Sequence, residues 1–329
     1  MDWQDVPVLI TGAGGFIGSH LVEYLIANKA RVRAFVRYTS GGNVGLLRYL
    51  PKEMLGTVEI VRGDLRDASA VLQSMRDCEY VFHLGALIAI PYSYVHPREV
   101  IETNVIGTLN VLEAARLVKP KRIIHTSTSE VYGTARFVPI TEEHPLQGQS
   151  PYSASKIGAD KLAESYYRAF DTPVATIRPF NTFGPRQSTR AVIPTIITQA
   201  LTRSEISLGS LAPTRDFTFV LDTVRGFICA AEAEGILGHE INLGTNNEIS
   251  VGTLAEKIAS LIGSKISIRC EEKRLRPVKS EVERLHADNS LALKLMRWQP
   301  EVSLDQGLRE TIDWIRQNPN LYQLDEYHV

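Results

Sequence analysis

The sequence predicts an α/β fold in which helices cover both faces of a doubly wound, mostly parallel sheet. Three observations support this fold. Short apolar runs alternate with stretches of helical period through about residue 180. The runs are almost continuously apolar, as expected for strands that are buried on both faces. The first run leads into a glycine-rich turn and then into a helix, which is typical of the start of such a sheet.

The first half of the chain supplies six strands and four helices. The predicted strands are Val6–Ile10, Val32–Val36, Val58–Val61, Tyr80–Leu84, Arg122–Ser127 and Val174–Pro179. The helices between them are Phe16–Ala27, Ala68–Met75, Arg98–Leu117 and Tyr152–Phe170. This alternation predicts a parallel, doubly wound sheet.

The pattern changes after residue 180. Helices are expected at Ala191–Thr202, Thr223–Ala233, Val251–Ile262 and Leu304–Arg316, with short strands in the segments EINLG and KISIR. We therefore expect residues 1–180 to form the main sheet and residues 181–329 to form a smaller, mixed part. Whether the chain crosses back between the two is left open.

Composition excludes several classes of protein. The 329 residues carry a net charge of −1 without a basic face or an acidic tail, so no nucleic-acid partner is expected. The start lacks the features of a signal peptide, and the longest weakly charged stretch is interrupted by His83 and Pro91, so no membrane association is expected. Cys78, Cys229 and Cys270 are scattered, which favours a reducing cytoplasm and no metal site.

The glycine-rich turn predicts a dinucleotide site. Gly12 permits a tight turn after the first strand, Gly15 lets a pyrophosphate approach the backbone, and Gly18 lets the helix pack close to the strand. The helix begins at Phe16 and Ile17, where free N–H groups face the anion. The chain is therefore expected to have a Rossmann-like domain over residues 1–180.

The end of the second strand bears on the choice of cofactor. An acid usually stands there to hold the ribose hydroxyls of NAD, but no Asp or Glu occurs between Glu23 and Glu53. Arg37 stands there instead, with Ser40 close by, and a guanidinium with hydroxyls suits a 2′-phosphate. This favours NADP over NAD. An alternative is a solvated loop, with the ribose bound elsewhere.

Four more residues are predicted to contact the cofactor, because ligands bind outside the carboxyl ends of the strands in such sheets. Asp64 and Leu65 follow the third strand, on the adenine side. Leu84 and Ala86 follow the fourth strand.

A tyrosine and a lysine one helical turn apart predict proton chemistry. Tyr152 and Lys156 share one face of a helix, and the ammonium is expected to lower the pKa of the phenol so that it can act as a base. Thr128 follows a strand end, where its hydroxyl can share the substrate proton. A tyrosine–lysine pair alone is common on helix surfaces, so the wider set of motifs matters.

That set resembles the extended short-chain dehydrogenase/reductases that act on sugar nucleotides. The motifs that carry the resemblance are TGAGGFIG, GDLRD, HLGA, NVIGT, STSEVYG, PYSASK and RPFNTFGPR, extended by FTFVLD and RLRP. The resemblance implies a tightly bound NADP or NAD that is recycled within each turnover. It also implies a nucleotide-sugar substrate bound mainly by residues 181–329, and a homodimer through helices Arg98–Leu117 and Tyr152–Phe170.

The residues after Thr128 narrow the choice of reaction. Sugar-nucleotide 4-epimerases usually carry no acid there, whereas this chain has Ser129 and Glu130. Thr-Ser-Glu is similar to GDP-mannose 4,6-dehydratase, and UDP-glucuronate decarboxylases share it. The segments IAIPYSYVHPREVIETNVIGTLNVLEAAR and RPVKSEVERL most resemble nucleotide-hexosamine 4,6-dehydratases of legionaminic-acid-type pathways, a group often described as NAD-dependent.

This resemblance implies internal redox catalysis that ends in a 4-keto-6-deoxy sugar. Tyr152 takes the C4 hydroxyl proton while hydride leaves C4, and the new ketone acidifies the C5 proton. Glu130 removes that proton, water leaves from C6, and the hydride returns to C6. Ser129 is a weak proton donor, so either Ser129 or Glu130 protonates the departing hydroxyl.

The substrate is expected to contact five residues. Asn181 matches an asparagine of the family, Tyr92 can reach the sugar, and Arg186, Arg215 and Arg276 are candidates to hold the diphosphate. Each arginine has the alternative of a surface or ion-pair role.

Other functions stay open. A decarboxylase and a 4-epimerase are the alternatives within the family. A non-catalytic dinucleotide sensor would be expected to have lost Tyr152, Lys156 or Glu130, and all three are present.

Overall fold

The computed structural model describes residues 1–264, 266–275 and 277–322. Its strands are β1 Pro7–Thr11, β2 Arg31–Arg37, β3 Glu59–Gly63, β4 Tyr80–His83, β5 Arg122–Thr126, β6 Val174–Pro179, β7 Asn181–Phe183, β8 Glu205–Leu208, β9 Thr214–Arg215, β10 Phe217–Phe219, β11 Glu240–Leu243, β12 Ile249–Ser250 and β13 Ser267–Cys270.

The helices alternate with these strands. They are α1 Phe16–Ala27, α2 Lys52–Gly56, α3 Ala68–Met75, α4 Ile90–Val95, α5 Pro97–Ile101, α6 Gly107–Val118, α7 Pro151–Phe170, α8 Val192–Thr202, α9 Val220–Glu232, α10 Val251–Ile262, α11 Ser290–Met296 and α12 Leu304–Gln317. A π-helical turn, Glu102–Ile106, joins α5 to α6. Turns of 3-10 helix cover Gly45–Tyr49, Ser129–Tyr132, Glu272–Arg274, Val278–Ser280 and Pro319–Leu321.

Seven strands form one parallel sheet in the order β11-β6-β5-β4-β1-β2-β3, which confirms the predicted fold class. In its centre, Ile10 of β1 lies opposite Ala34 of β2 and Phe82 of β4. Since β1 has neighbours on both sides and leads into the glycine turn, that turn opens at the middle of the sheet's carboxyl edge.

Helices bury both faces of the sheet. Val8 and Ile10 pack in a cluster with α1 and α9, whereas Leu9, between them, packs in another cluster with α3, α6 and α7. This alternation along β1 follows from the period-2 geometry of a strand. A third cluster joins α8, α10 and α12 in the later part of the chain.

The chain crosses back into the main sheet after residue 180. The EINLG segment, expected in the mixed part, forms β11 and pairs in parallel with β6, Ile241 lying opposite Ile177. The division of the chain at residue 180 stays a prediction.

Sequence patterns missed three short helices, α2, α4 and α11. In α4 the proline that seemed to interrupt an apolar stretch, Pro91, sits in the first helical turn, where its missing N–H costs no hydrogen bond. Among the described residues, no helix combines the length and apolar character needed to span a membrane.

Candidate active site

The glycine turn between β1 and α1 is packed too closely for side chains. Gly12 has a φ of +69°, and a Cβ on it would lie 2.7 Å from the backbone nitrogen of Gly85. A Cβ on Gly18 would collide with the carbonyl oxygen of Gly12. Gly15 is exposed, and a Cβ on it would meet that same carbonyl oxygen at 3.1 Å. The backbone of the turn is therefore open to a ligand.

The first turn of α1 can bind an anion. Gly15 is the N-cap, and no side chain caps the helix there. Phe16 and Ile17 begin the helix, half-buried beneath the turn. Backbone N–H groups at such a helix start attract phosphate oxygens.

Residues after β3 and β4 line the same edge of the sheet. The Asp64 carboxylate accepts hydrogen bonds from Arg66 at 3.0 Å and 2.6 Å, which hold the pKa of Asp64 below its usual value. Leu65 is buried and packs on the chain just after Leu84. Leu84 and Ala86 are half-buried.

Arg37 ends β2, as the pattern predicted, but it has a partner that sequence reasoning missed. Its Nη2 lies 3.0 Å from a carboxylate oxygen of Glu99, which belongs to α5. Ser40 is exposed in the turn that follows β2. The sequence gives no indication of this pair, because Arg37 and Glu99 are far apart in the chain and meet only in the folded protein.

Three candidate catalytic residues follow β5 directly. The Thr128 hydroxyl accepts a hydrogen bond from the backbone N–H of Glu130 at 3.2 Å and so begins a 3-10 turn. Ser129 is 2% exposed and Glu130 is 9% exposed. The turn therefore holds a carboxylate in a largely buried position at the carboxyl edge of the sheet.

The other two, Tyr152 and Lys156, lie on α7. Ser150 caps this helix through a capping box with Ser153, which places Tyr152 in the first turn. Both side chains are buried, and the Thr128 hydroxyl is hydrogen-bonded to the Tyr152 phenol. The structure thus brings all five candidate catalytic residues together.

The pKa of Tyr152 moves in the direction opposite to the sequence-based expectation. Burial raises the pKa of the phenol, the hydrogen bond with Thr128 acts against the rise, and the charge of Glu130 adds to it. Burial also lowers the pKa of Lys156 to about 8, and its Nζ donates to the Thr126 carbonyl at 2.7 Å. Desolvation outweighs the Thr128 hydrogen bond at the phenol and the Asp160 charge at the amine, because both groups are enclosed.

A buried carboxylate next to Lys156 was not predicted. Asp160, one further turn along α7, accepts hydrogen bonds from Ser127 at 2.7 Å, from His125 at 3.2 Å and from Arg178 at 3.1 Å and 3.2 Å. Burial acts to raise the pKa of Asp160, but these partners and the Lys156 charge outweigh it and bring that pKa below its usual value. Asp160 could have been predicted from the sequence, because it stands four residues after Lys156 and so lies on the same face of the helix.

Asn104 was also missed, although it lies within the NVIGT motif. It is buried in the π-helical turn, where its Oδ1 accepts from the Leu87 N–H at 2.8 Å. Its Nδ2 donates to the Leu87 carbonyl and to the Ser155 hydroxyl, each at 2.9 Å. It therefore ties the loop after β4 to the helix of Tyr152.

Two of the predicted substrate residues lie near strand ends with buried polar groups. Asn181 begins β7, and its Oδ1 is buried without a hydrogen-bond partner among the described residues. Arg215 ends β9 and is buried, with Nη2 3.4 Å from Glu281.

Of the other three predicted substrate residues, two make contacts within the protein and one lies outside the described residues. Arg186 pairs with Glu23 at 2.5 Å in the second half of α1 and lies over the Trp314 ring. Tyr92 donates its hydroxyl hydrogen to Glu99. Arg276 lies outside the described residues. Within the described ranges, no three His, Cys, Asp or Glu side chains are grouped to hold a metal ion.

A central glycine turn and a buried Tyr-x-x-x-Lys pair on one edge of a parallel sheet define an extended short-chain dehydrogenase/reductase. Comparison with known proteins identifies the family. The family model for GDP-mannose 4,6 dehydratase matches residues 9–311. The chain belongs to this family, whose members depend on NAD or NADP.

Relatives of similar length differ in the reaction that their names state. A UDP-glucose 4-epimerase from Mycolicibacterium smegmatis is 33% identical, with 94% of this chain and 98% of that protein aligned. A UDP-N-acetyl-alpha-D-glucosaminuronate decarboxylase from Bacillus cytotoxicus is 32% identical, with 95% and 98% aligned. The solved dTDP-glucose 4,6-dehydratase DesIV from Streptomyces venezuelae, with NAD bound, superimposes with a TM-score of 0.86 at 29% identity, covering 97% of this chain and 99% of that one. This chain is thus a nucleotide-sugar dehydratase, epimerase or decarboxylase by family.

Asp160→Asn is expected to lower the free energy of unfolding by about 3–5 kcal/mol, because it removes the nearer and fully buried counter-charge of Arg178 and leaves only Glu240 at 3.6 Å. The matched control is Asp171→Asn, at the exposed end of α7 in a left-handed conformation that Asn tolerates, with a change within about 0.5 kcal/mol. Urea unfolding at neutral pH measures both.

The same pair of variants has a pH signature. The folded-state pKa of Asp160 is lowered, so its contribution to stability is present at neutral pH and is lost as the pH falls through that lowered pKa. The unfolding free energy of the wild type should therefore fall more steeply in acid than that of Asp160→Asn. Equal slopes, or equal stability of Asp160→Asn and the control, would contradict this role.

Proposed function

We propose that this protein is a nucleotide-sugar 4,6-dehydratase that converts an NDP-hexose or NDP-N-acetylhexosamine to its 4-keto-6-deoxy form. The observation that carries the proposal is the position of Glu130. This buried carboxylate adjoins Thr128 and influences the charge state of Tyr152, so a base for C5 stands beside a base for the C4 hydroxyl. The three free cysteines agree with the cytoplasmic location that we propose.

The residues present fit a nicotinamide dinucleotide. The glycine cradle would be filled by any side chain at Gly12 or Gly18, and the uncapped start of α1 offers N–H groups to a pyrophosphate. We propose NADP or NAD, held also by Asp64 and Leu65 on the adenine side. When bound, it supplies a hydride acceptor and then a hydride donor within one turnover.

Tyr152 and Thr128 act at the C4 hydroxyl of the sugar. The Thr128 hydroxyl is hydrogen-bonded to the phenol, so the two can share the proton that leaves the substrate. Because burial disfavours the phenolate, its formation requires the positive charge that Lys156 carries on the next turn of α7. With a pKa of about 8, the Lys156 amine is mostly protonated, and so positively charged, at neutral pH.

Glu130 acts at C5 and C6. Once C4 is a ketone, the C5 proton is acidic, and the carboxylate removes it as the C6 hydroxyl departs as water. The departing oxygen needs a proton. Ser129 is a poor donor beside a carboxylic acid, so Glu130, now protonated, can pass the same proton to the oxygen that leaves C6. C5 then takes a proton from solvent as C6 is reduced, and Tyr152 releases the proton of the C4 hydroxyl to solvent.

Substrate binding follows from groups on the later part of the chain. The Asn181 Oδ1 lacks a partner among the described residues and suits a sugar hydroxyl. Arg215 is buried two residues before Phe217, which lies opposite Asn181, and its guanidinium suits a phosphate. Arg276, outside the described residues, is proposed for the same role from its residue type alone. Tyr92 and Arg186 are weaker candidates, because each already has a carboxylate partner.

A 4-epimerase is the second candidate, favoured by the similarity to the mycobacterial enzyme. It needs the Tyr152–Lys156 pair but no base at C5, and so it gives Glu130 no chemical task. A decarboxylase would use a uronic acid as substrate. A non-catalytic sensor would need none of Tyr152, Lys156 and Glu130.

Glu130→Gln is expected to separate the two halves of the reaction. Given substrate, the variant should still reduce its bound cofactor, seen as the absorbance of reduced nicotinamide, because Tyr152 and Lys156 are intact. Formation of the 4-keto-6-deoxy product should fall by about 10²–10⁴-fold, the usual effect of removing a general base. Product is followed by mass spectrometry.

Two variants control this test. Tyr152→Phe should stop at the earlier step and show no reduced cofactor. Glu143→Gln removes an exposed carboxylate from a loop later in the chain and should leave both signals at the level of the wild type. Product formation by Glu130→Gln at the wild-type rate would exclude the proposed role.

We also propose a homodimer through α5–α6 and α7. These helices and the π-helical turn expose the apolar side chains of Ile101, Ile106, Leu117 and Phe170, and a symmetric dimer is the commonest oligomer. Light scattering should give the mass of two chains, and Ile106→Arg should shift it toward one chain. Leu293→Arg, at an equally exposed position on α11, is the control. A wild-type monomer at micromolar concentration would overturn the dimer.

A further inference from the structure

An acidic side chain from another segment stands at the end of the second strand. That strand has no acid of its own, yet the Glu99 carboxylate lies 3.0 Å from the Arg37 guanidinium that ends it. The Arg37 side chain is 60% exposed and the Glu99 side chain 26%, so a ligand can reach both groups. The acid that the sequence lacks at this strand is therefore present in space.

Glu99 is fixed from two sides. One carboxylate oxygen accepts from Arg37, and the other accepts from the Tyr92 hydroxyl at the beginning of α4. The hydrogen bond from Tyr92, followed by Arg37, keeps the pKa of Glu99 below its usual value. A carboxylate has about four lone-pair positions, so an oxygen that serves one donor can accept from a second.

The surrounding charges balance one another. Arg66 pairs with Asp64 at 2.6 Å and lies 3.7 Å from Glu102, which also pairs with Arg98 at 2.7 Å. At the end of β2, the Arg37 guanidinium is thus paired with the Glu99 carboxylate, and the nearby Arg66 guanidinium is paired with the Asp64 carboxylate. A 2′-phosphate, with close to two negative charges, therefore meets an Arg37 whose charge is offset by Glu99, whereas a ribose hydroxyl meets an acceptor.

We propose that Glu99 is a selectivity residue for the cofactor: its carboxylate accepts from the adenosine ribose in place of the missing strand-end acid and offsets the charge of Arg37. The inference rests on the proposed function, since it assumes a dinucleotide at the glycine turn. It alters the expectation drawn from strand β2, because an Arg37 already paired with Glu99 no longer favours a 2′-phosphate. The wild type is then expected to bind NAD at least as tightly as NADP.

The same contacts assign Tyr92 a positioning role. Its hydroxyl orients Glu99 from the first turn of α4, so this helix is tied to the proposed binding site of the adenosine ribose. Tyr92→Phe should therefore loosen selectivity in the same direction as the loss of the Glu99 charge, to a smaller extent.

The test compares dissociation constants of NAD and NADP, measured by calorimetry on the full chain after removal of any bound dinucleotide. Glu99→Gln keeps the shape of the side chain and removes its charge. It should shift the ratio of the two constants toward NADP by about tenfold, from the loss of one negative charge close to two others. Glu113→Gln, a carboxylate paired with Arg116 on α6, should shift the ratio by less than about twofold.

A double variant identifies the cause of the shift. If Glu99 acts by offsetting Arg37, then Arg37→Gln added to Glu99→Gln should cancel the gain for NADP. A ratio unchanged in Glu99→Gln, or affinities for both cofactors that fall equally, would overturn the selectivity role. Failure of the wild type to bind either cofactor would instead overturn the proposed function, so the two failures are distinguishable.

Discussion

The Asp160 carboxylate is the contact on which the geometry of the site depends. It lies on α7, one turn beyond Lys156, and it binds donors from β5, from the residue that follows β5 and from β6. These hydrogen bonds fix how far helix α7 is rotated about its axis and shifted along it, relative to β5 and β6. Tyr152 reaches Thr128 because this buried anion is fully engaged, and a misplacement of the helix would separate the phenol from the turn that carries Glu130.

Because the ionisable groups of the active site are buried, their protonation states depend on the charges of their neighbours. An enclosed phenol resists ionisation and an enclosed amine resists protonation. The charge of Asp160 helps to keep Lys156 protonated, and the phenolate of Tyr152 in turn needs that positive charge. The adenosine end of the groove is arranged differently. Its ion pairs are exposed and exchangeable, which suits discrimination between cofactors better than catalysis. Asn104 ties the loop after β4, through the Leu87 backbone, to Ser155 on the helix of Tyr152.

The sequence predicted those parts of the fold that follow from local patterns. Strands β1 to β6 and the longer helices between them follow from apolar runs and helical period, and Tyr152 and Lys156 follow from their spacing. The missed features depend on partners far apart in the chain. Glu99 meets Arg37 only because β2 and the chain after β4 end at the same edge, and the direction of the Tyr152 pKa depends on enclosure by side chains that no local pattern reveals.

Oxidation at C4 coupled to loss of water across C5 and C6, within one site, is the property most worth testing directly. The experiment incubates the wild type with UDP-, GDP- and dTDP-hexoses that carry deuterium at C4, in ordinary and in deuterated water, with the product analysed by mass spectrometry. We expect loss of the elements of water, transfer of the C4 label to C6 within the same molecule, and one solvent deuterium at C5. A product of unchanged mass with inverted C4, or loss of carbon dioxide from a uronic acid added to the same panel, would contradict the dehydratase proposal.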